Sequence, residues 1–573
     1  MKLRGLIFFF CFCFLFVGVP NAFSIDRQAF TFTSYDLNVR VDPAQQRIGV
    51  RGKITLRNDS ATPQKITVLQ ISSSLDWRSI TFGGKPLPFI MQPFTSDIDH
   101  TGRLSEAIVT LPAVVSPHAS IDLEVGYEGV IVLDATRLAR IDAPEAQANS
   151  SDWDQITSAF TAVRGAGYVT WYPIATDDAS LAEASLFDVL GSWKLRESDA
   201  KMHLQMQIQK DEDQAPELLV NATNCPTSHE EAHQFVADCT YRSLGEVPPT
   251  FVVADFETLD RPSVAVHFLR GHDASAAGYA DAADKVLPLV TEWFGATKSK
   301  AQTADLPDPD ATPFESGPLL LTSLSSVDAR IAGLVATHQL THAAFPSSRQ
   351  WINEGLAHFA QALYLENQKG RQTALDYMAT HRSAFTAAEK QVSAKAEADT
   401  SGSLINTSDE ELYRSKAMYV WWMLRDMIGN APLKKALASY RPEQDKDPSY
   451  MPRLIQAQTQ RDLEWFFDDW VYRDRGLPDF KIEAAFPRKA MNDSYLVTVT
   501  VTNLGRAGGE VPVTVKFASG EVIKRVEVRA NGKGITRVEI PSAPEEITVN
   551  DGSVPENDLT NNTWTPEPGD SAK

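Results

Sequence analysis

From residue 30 the chain alternates apolar and polar side chains with period two. Residues 30–41 and 48–56 put every second side chain on one face, as half-buried strands do. Shorter runs of the same kind at 121–125, 202–208 and 218–220, parted by turn residues, predict a large antiparallel β-sandwich or saddle over 25–256. The Ala-, Ser- and Asp-rich stretch 142–157 predicts a loop within it. After Phe256 the period changes. One further β run, 263–269, leads into a helix over 274–294, with Val286, Leu289, Val290 and Trp293 at helical spacing. The polar segment 298–313 predicts a loop, and the apolar 318–324 a strand. Helices are predicted over 330–342 and 350–366, and the chain stays mostly helical to Trp470, with 419–424 as a buried stripe. Period two returns near Pro478. Residues 495–502, 511–517 and 521–528 predict a small C-terminal sandwich over 479–551. The Asn-, Pro-, Asp- and Glu-rich stretch 552–573 predicts a disordered tail.

The first residues do not belong to this pattern. Lys2 and Arg4 precede an apolar run over 6–19 that is short for a membrane span, and Ala22-Phe23-Ser24 fits a small-x-small cleavage site. Residues 1–24 therefore predict a signal peptide and an exported chain, periplasmic or extracellular, with no later stable transmembrane segment. Cys11 and Cys13 fall inside the signal. Cys225 and Cys239 remain, and an even pair in an oxidising compartment predicts a disulfide. The formal net charge of −20 argues against a nucleic-acid partner, which needs a basic face. A length of 573 residues implies several domains.

The chemistry concentrates in one stretch. His338 and His342, four apart on a predicted helix, lie on one face and can reach one metal ion. A catalytic zinc takes three protein ligands, and Glu354 on the next helix is placed to be the third. In the signature H-E-x-x-H the glutamate after the first histidine is the general base. Here that position holds Gln339.

His338-Gln339-Leu340-Thr341-His342 followed by Trp351-Ile352-Asn353-Glu354-Gly355-Leu356-Ala357 resembles the gluzincin zinc aminopeptidases of the alanyl aminopeptidase type. The resemblance covers much of the chain to Pro478 and is strong from about Gly333. It implies a multidomain α+β fold: an N-terminal antiparallel β-sandwich (25–256), a thermolysin-like zinc peptidase module with a helical continuation (257–478), and a C-terminal β-sandwich. It implies one zinc ion on His338, His342 and Glu354, and peptide or protein N-termini as what the cleft receives. Residues 343–353 separate the second histidine from the glutamate, fewer than is usual in the family, which implies a shortened loop between the helices. Tyr413-Arg414-Ser415-Lys416 is similar to the family's Y-x-K-G segment and implies Tyr413 as the donor to a tetrahedral intermediate. Phe314-Glu315-Ser316-Gly317-Pro318 stands where the family has G-x-M-E-N, and implies Glu315 as the anchor of a substrate amine.

Gln339 divides the motif. An amide cannot take a proton from water near neutral pH, and general-base catalysis is worth roughly 10²–10⁴-fold. The expectation is a zinc-binding protein with hydrolysis silenced or impaired, in which Gln339→Glu would raise activity. Two alternatives stand beside it. One is an active aminopeptidase with a substitute base, Glu315 or His358. The other is a non-catalytic scaffold that binds peptides or proteins.

Overall fold

The computed structural model describes residues 25–566, apart from 184, 211–215, 232, 242–243, 246, 396–402, 406, 408, 474 and 491–492. The expected signal peptide and residues 567–573 lie outside the described residues.

Phe30–Asp42 and Arg47–Asn58 pair antiparallel at the centre of an eight-stranded sheet. The apolar phase of the first strand shifts partway: Phe30 and Phe32 face the core, and so do Tyr35, Leu37, Val39 and Val41. A bulge between Phe32 and Ser34 absorbs the extra residue, so both sets reach the same face. One pairing departs from the antiparallel expectation. Phe30–Asp42 runs parallel to Lys201–Gln209, because a long crossover rather than a hairpin joins them. The three-stranded sheet Gln64–Ser72, Arg103–Val115 and Phe89–Thr95 contributes Leu69, Ile71, Ala107 and Val109 to the same core. The stretch 142–157 is not a plain loop. It holds a helix, Glu145–Ser151, and a short strand, Gln155–Ile156. Asp152 and Asp154 here are buried by pairing with Arg137 and Arg164 at 2.6 and 2.7 Å. Cys225 and Cys239 are joined by a disulfide.

The middle of the chain builds a five-stranded mixed sheet in the order Glu257–Asp260, Val264–Phe268, Ala301–Asp305, Leu319–Thr322, Phe314–Ser316. Its central member, Ala301–Asp305, lies inside the segment expected to be a loop. It carries few residues with strand propensity, yet it is flanked by parallel neighbours on both sides. Burial by tertiary packing overrides local preference there. Asp305 is buried because the Leu269 and Leu324 amides and the His272 ring bond to its carboxylate.

Helices cover this sheet and continue beyond it: Asp273–Phe294, Ala332–Ala344, Gln350–Lys369, Arg371–Lys395 and Ala417–Ile428. Every residue of 419–424 is buried. The core of this module runs without a break into the C-terminal sandwich. Trp470 spans the junction and donates its indole N–H to the Gly508 carbonyl at 2.8 Å. The sandwich packs Phe480–Lys489, Tyr495–Asn503 and Lys533–Ile540 against a second sheet of Gly520–Val528, Gly509–Phe517 and Pro544–Val549.

The expected disordered tail is ordered to residue 566. Thr563–Trp564 adds a strand to the second sheet. Glu556 is buried, accepting from the Phe480 amide at 2.9 Å and the Asn562 side chain at 2.6 Å. The polar residues that suggested disorder are the partners that let this segment be buried. Among the described residues no helix is long and apolar enough to cross a membrane.

Candidate metal centre

Three elements bring the site together. The helix Ala332–Ala344 carries His338, Gln339 and His342. The helix Gln350–Lys369 carries Glu354 and His358. The edge strand Phe314–Ser316 carries Glu315. Residues 345–349 make the connection between the helices, and it is short. Phe345 stacks on Tyr440 at 5.0 Å and Arg349 pairs with Asp445 at 2.7 Å, which pins the turn.

The second helix is set by its tryptophan and glycine. Trp351 stacks on Trp421 with ring centroids 5.1 Å apart, and Trp421 donates its indole N–H to the Trp351 carbonyl at 3.1 Å. A Cβ on Gly355 would stand 2.6 Å from the Ala417 Cβ, so only glycine allows this close approach. The Trp-x-x-Glu-Gly pattern thus works as packing that fixes where Glu354 points.

The ligand atoms converge. His338 Nε2 and His342 Nε2 are 3.1 Å apart. Glu354 Oε1 lies 3.4 Å from His342 Nε2, and Glu354 Oε2 lies 3.8 Å from His338 Nε2. Donors about 2.0–2.1 Å from a tetrahedral zinc sit roughly 3.3 Å from one another, so these three side chains fit the ion. Glu315 joins them: its carboxylate and the two imidazoles offer ligand atoms within 4.8 Å of one another.

The electrostatics suit a cation. Burial, with His342 and Arg414 nearby, holds His338 well below the usual histidine range, so it is neutral with a free lone pair. Burial would raise the Glu354 carboxyl, but His342 and Arg414 outweigh it and hold it below its usual value. Arg414 donates its Nε–H to Glu354 Oε2 at 3.2 Å. Glu315 moves the other way: burial raises it and Glu354 adds to this, against the pull of His342 and the Gln339 amide.

Gln339 is buried and bonded at both ends of its amide. Tyr279 donates its hydroxyl to Gln339 Oε1 at 2.7 Å, and Gln339 Nε2 donates to Glu315 Oε1 at 3.3 Å. Behind them Thr303 donates to the Tyr279 oxygen at 3.2 Å. This is a one-directional chain of donors ending on a carboxylate.

The remaining expected residues fall around this centre. Tyr413 lies in a π-helical turn, Glu411–Lys416, with its ring edge-on to Phe187 at 5.5 Å, and burial raises its phenol well above the usual range. His358 packs against the His338 ring at 5.0 Å and the His381 ring at 5.5 Å, and its ring nitrogens are buried without a hydrogen-bond partner. It backs the ligand helix. Tyr279 and Arg414 join the site without a motif that marks them for it. Tyr279 sits in an ordinary amphipathic helix, where nothing in the local pattern marks it. Arg414 was visible as the neighbour of Tyr413.

No family model matches this chain, and no curated protein matches it. Solved structures do. An M1 zinc metallopeptidase from Deinococcus radiodurans aligns with a TM-score of 0.52 at 16% identity, over 79% of this chain and 95% of that one. A point mutant of that enzyme aligns with a TM-score of 0.54 at 15% identity. The mutant bound to a Tyr-Ser-Ala substrate gives 0.53 at 16%. Both mutant structures are covered over 96% of their length. The chain therefore has the multidomain α+β fold of the M1 zinc metallopeptidases, at a sequence identity where the likeness is one of fold.

Proposed function

We propose that this chain is an exported zinc-binding protein on the metallopeptidase fold, whose cleft takes peptide or protein N-termini without cleaving them. One observation carries the reading. The residue at the general-base position is an amide whose oxygen accepts from Tyr279 and whose nitrogen donates to Glu315. Neither end can take a proton from an attacking water near neutral pH.

His338, His342 and Glu354 would hold the zinc, which would act as a Lewis acid on a carbonyl only where a coordination place is left open. Tyr413, beside Glu354 and buried with a high pKa, keeps its proton and is a hydrogen-bond donor to a carbonyl oxygen in the cleft. What is missing is proton transfer, and its loss leaves binding without turnover.

The test is zinc content and turnover of a panel of aminoacyl fluorogenic substrates, on the mature chain and on His338→Ala. About one equivalent of zinc, lost in the variant, with no turnover in either, supports the reading. Zinc-dependent turnover in the native chain, abolished by His338→Ala, would make it an active aminopeptidase with a substitute base. No zinc in the native chain would leave a scaffold that binds through its walls.

A further inference from the structure

Glu315 stands where the resemblance implies an anchor for a substrate amine, but its surroundings point it elsewhere. Its carboxylate reaches the same point as the two imidazoles, with all ligand atoms within 4.8 Å of one another. Glu354 approaches the same imidazoles from the next helix, its Oε1 3.4 Å from His342 Nε2 and its Oε2 3.8 Å from His338 Nε2. Two imidazoles and the Glu315 carboxylate therefore share one position, with the Glu354 carboxylate beside it. The Glu315 carboxylate is also held there. The chain Thr303, Tyr279, Gln339, Glu315 donates in one direction throughout, and the last donor is the Gln339 amide. A glutamate at 339 has no hydrogen to give when ionised, so it would face Glu315 as a second carboxylate and push it away. An amide at this position does more than remove a base. It orients Glu315.

We infer that Glu315 is a fourth protein ligand of the metal, positioned by Gln339, and that the centre is closed. This rests on the zinc-binding reading above. Zinc held by four protein side chains is the structural pattern, whereas catalytic sites keep one place open for water or substrate. Closure and loss of the base would then be two parts of one change, because the residue that replaced the base supports the residue that fills the open position. A substrate amine and the metal also compete for the same carboxylate.

The test uses the mature full-length chain loaded with Co²⁺, with zinc affinity measured by chelator competition, for native protein, Glu315→Gln, Gln339→Leu and His338→Ala. Glu315→Gln keeps the side-chain volume. Gln339→Leu leaves Glu315 in place without its donor. The expected native visible spectrum has four-coordinate intensity and does not change when azide is added. Glu315→Gln should lower zinc affinity at least roughly 10-fold and make the Co²⁺ spectrum respond to azide, and Gln339→Leu should do both to a smaller extent. A native spectrum that shifts with azide, with affinity unchanged in Glu315→Gln, overturns the assignment. If His338→Ala abolishes binding while Glu315→Gln does not alter it, the fourth ligand is refuted and the three-ligand zinc reading stands. If neither substitution alters binding, both fall.

Discussion

Gln339→Glu is the substitution that would formally complete the motif, and the structure gives it a cost. The new carboxylate would keep the Tyr279 donor but face Glu315 across the 3.3 Å now bridged by the amide hydrogen. Two unit charges at that distance repel by about 5 kcal/mol at an effective dielectric of 20. The pair can avoid this by keeping one proton between them. Holding a carboxyl protonated at pH 7, against an unfolded value near 4.3, costs about 4 kcal/mol at roughly 1.4 kcal/mol per pKa unit. The protonation route is the cheaper and sets the ceiling. The shared proton raises a folded-state pKa, so the variant matches the native chain below about pH 4.3 and loses stability as pH rises towards the folded value. Melting in the presence of a chelator, with no metal bound, isolates this term. At pH 7 the peptidase-like module should melt roughly 8–15 °C lower in the variant, with the gap closing towards pH 4.5. An equal difference at both pH values would refute the reasoning, and so would none at either. Turnover should appear only when Gln339→Glu is combined with Glu315→Ala, which frees both the new base and the fourth position.

Three further outcomes follow from other parts of the molecule. Burial raises the Glu197 carboxyl to about 8, with Arg196 only partly offsetting it. The stability it contributes below about pH 4.5 is lost as pH rises to about 8, a span of roughly 5 kcal/mol. Glu197→Gln should therefore gain on the native chain between pH 5 and pH 9 in paired melts, and a pH-independent difference would contradict this. Gly355→Val forces side-chain atoms into Ala417 and Trp421, and should cost about 1–3 kcal/mol in urea unfolding while lowering zinc affinity by displacing Glu354. Unchanged affinity would show that Glu354 is positioned otherwise. Replacing both Cys225 and Cys239 by Ala opens a loop of sequence separation 14, and should cost roughly 3 kcal/mol with zinc content unchanged.

The sequence by itself determined the parts of this protein whose physics is local. The period of the apolar pattern located the sandwich strands, the two motif helices and the C-terminal sandwich, because a strand or a helix must turn its apolar side to the core. Helical spacing put His338 and His342 on one face, since residues four apart on a helix are neighbours. It also exposed the amide beside His338. What local pattern could not carry was decided by packing. Ala301–Asp305 became a central strand because parallel neighbours enclose it on both sides. The tail became ordered because Glu556 and Asn562 find each other and the backbone of Phe480. Above all, Tyr279 and Glu315 meet Gln339 across 60 and 24 residues of sequence, and Thr303 meets Tyr279 across 24. That convergence exists only once the helix Ala332–Ala344 lies over the sheet. The sequence put an amide directly after the first histidine of the pair. The fold decided that this buried amide donates to the Glu315 carboxylate beside the two histidines, because a buried donor needs an acceptor.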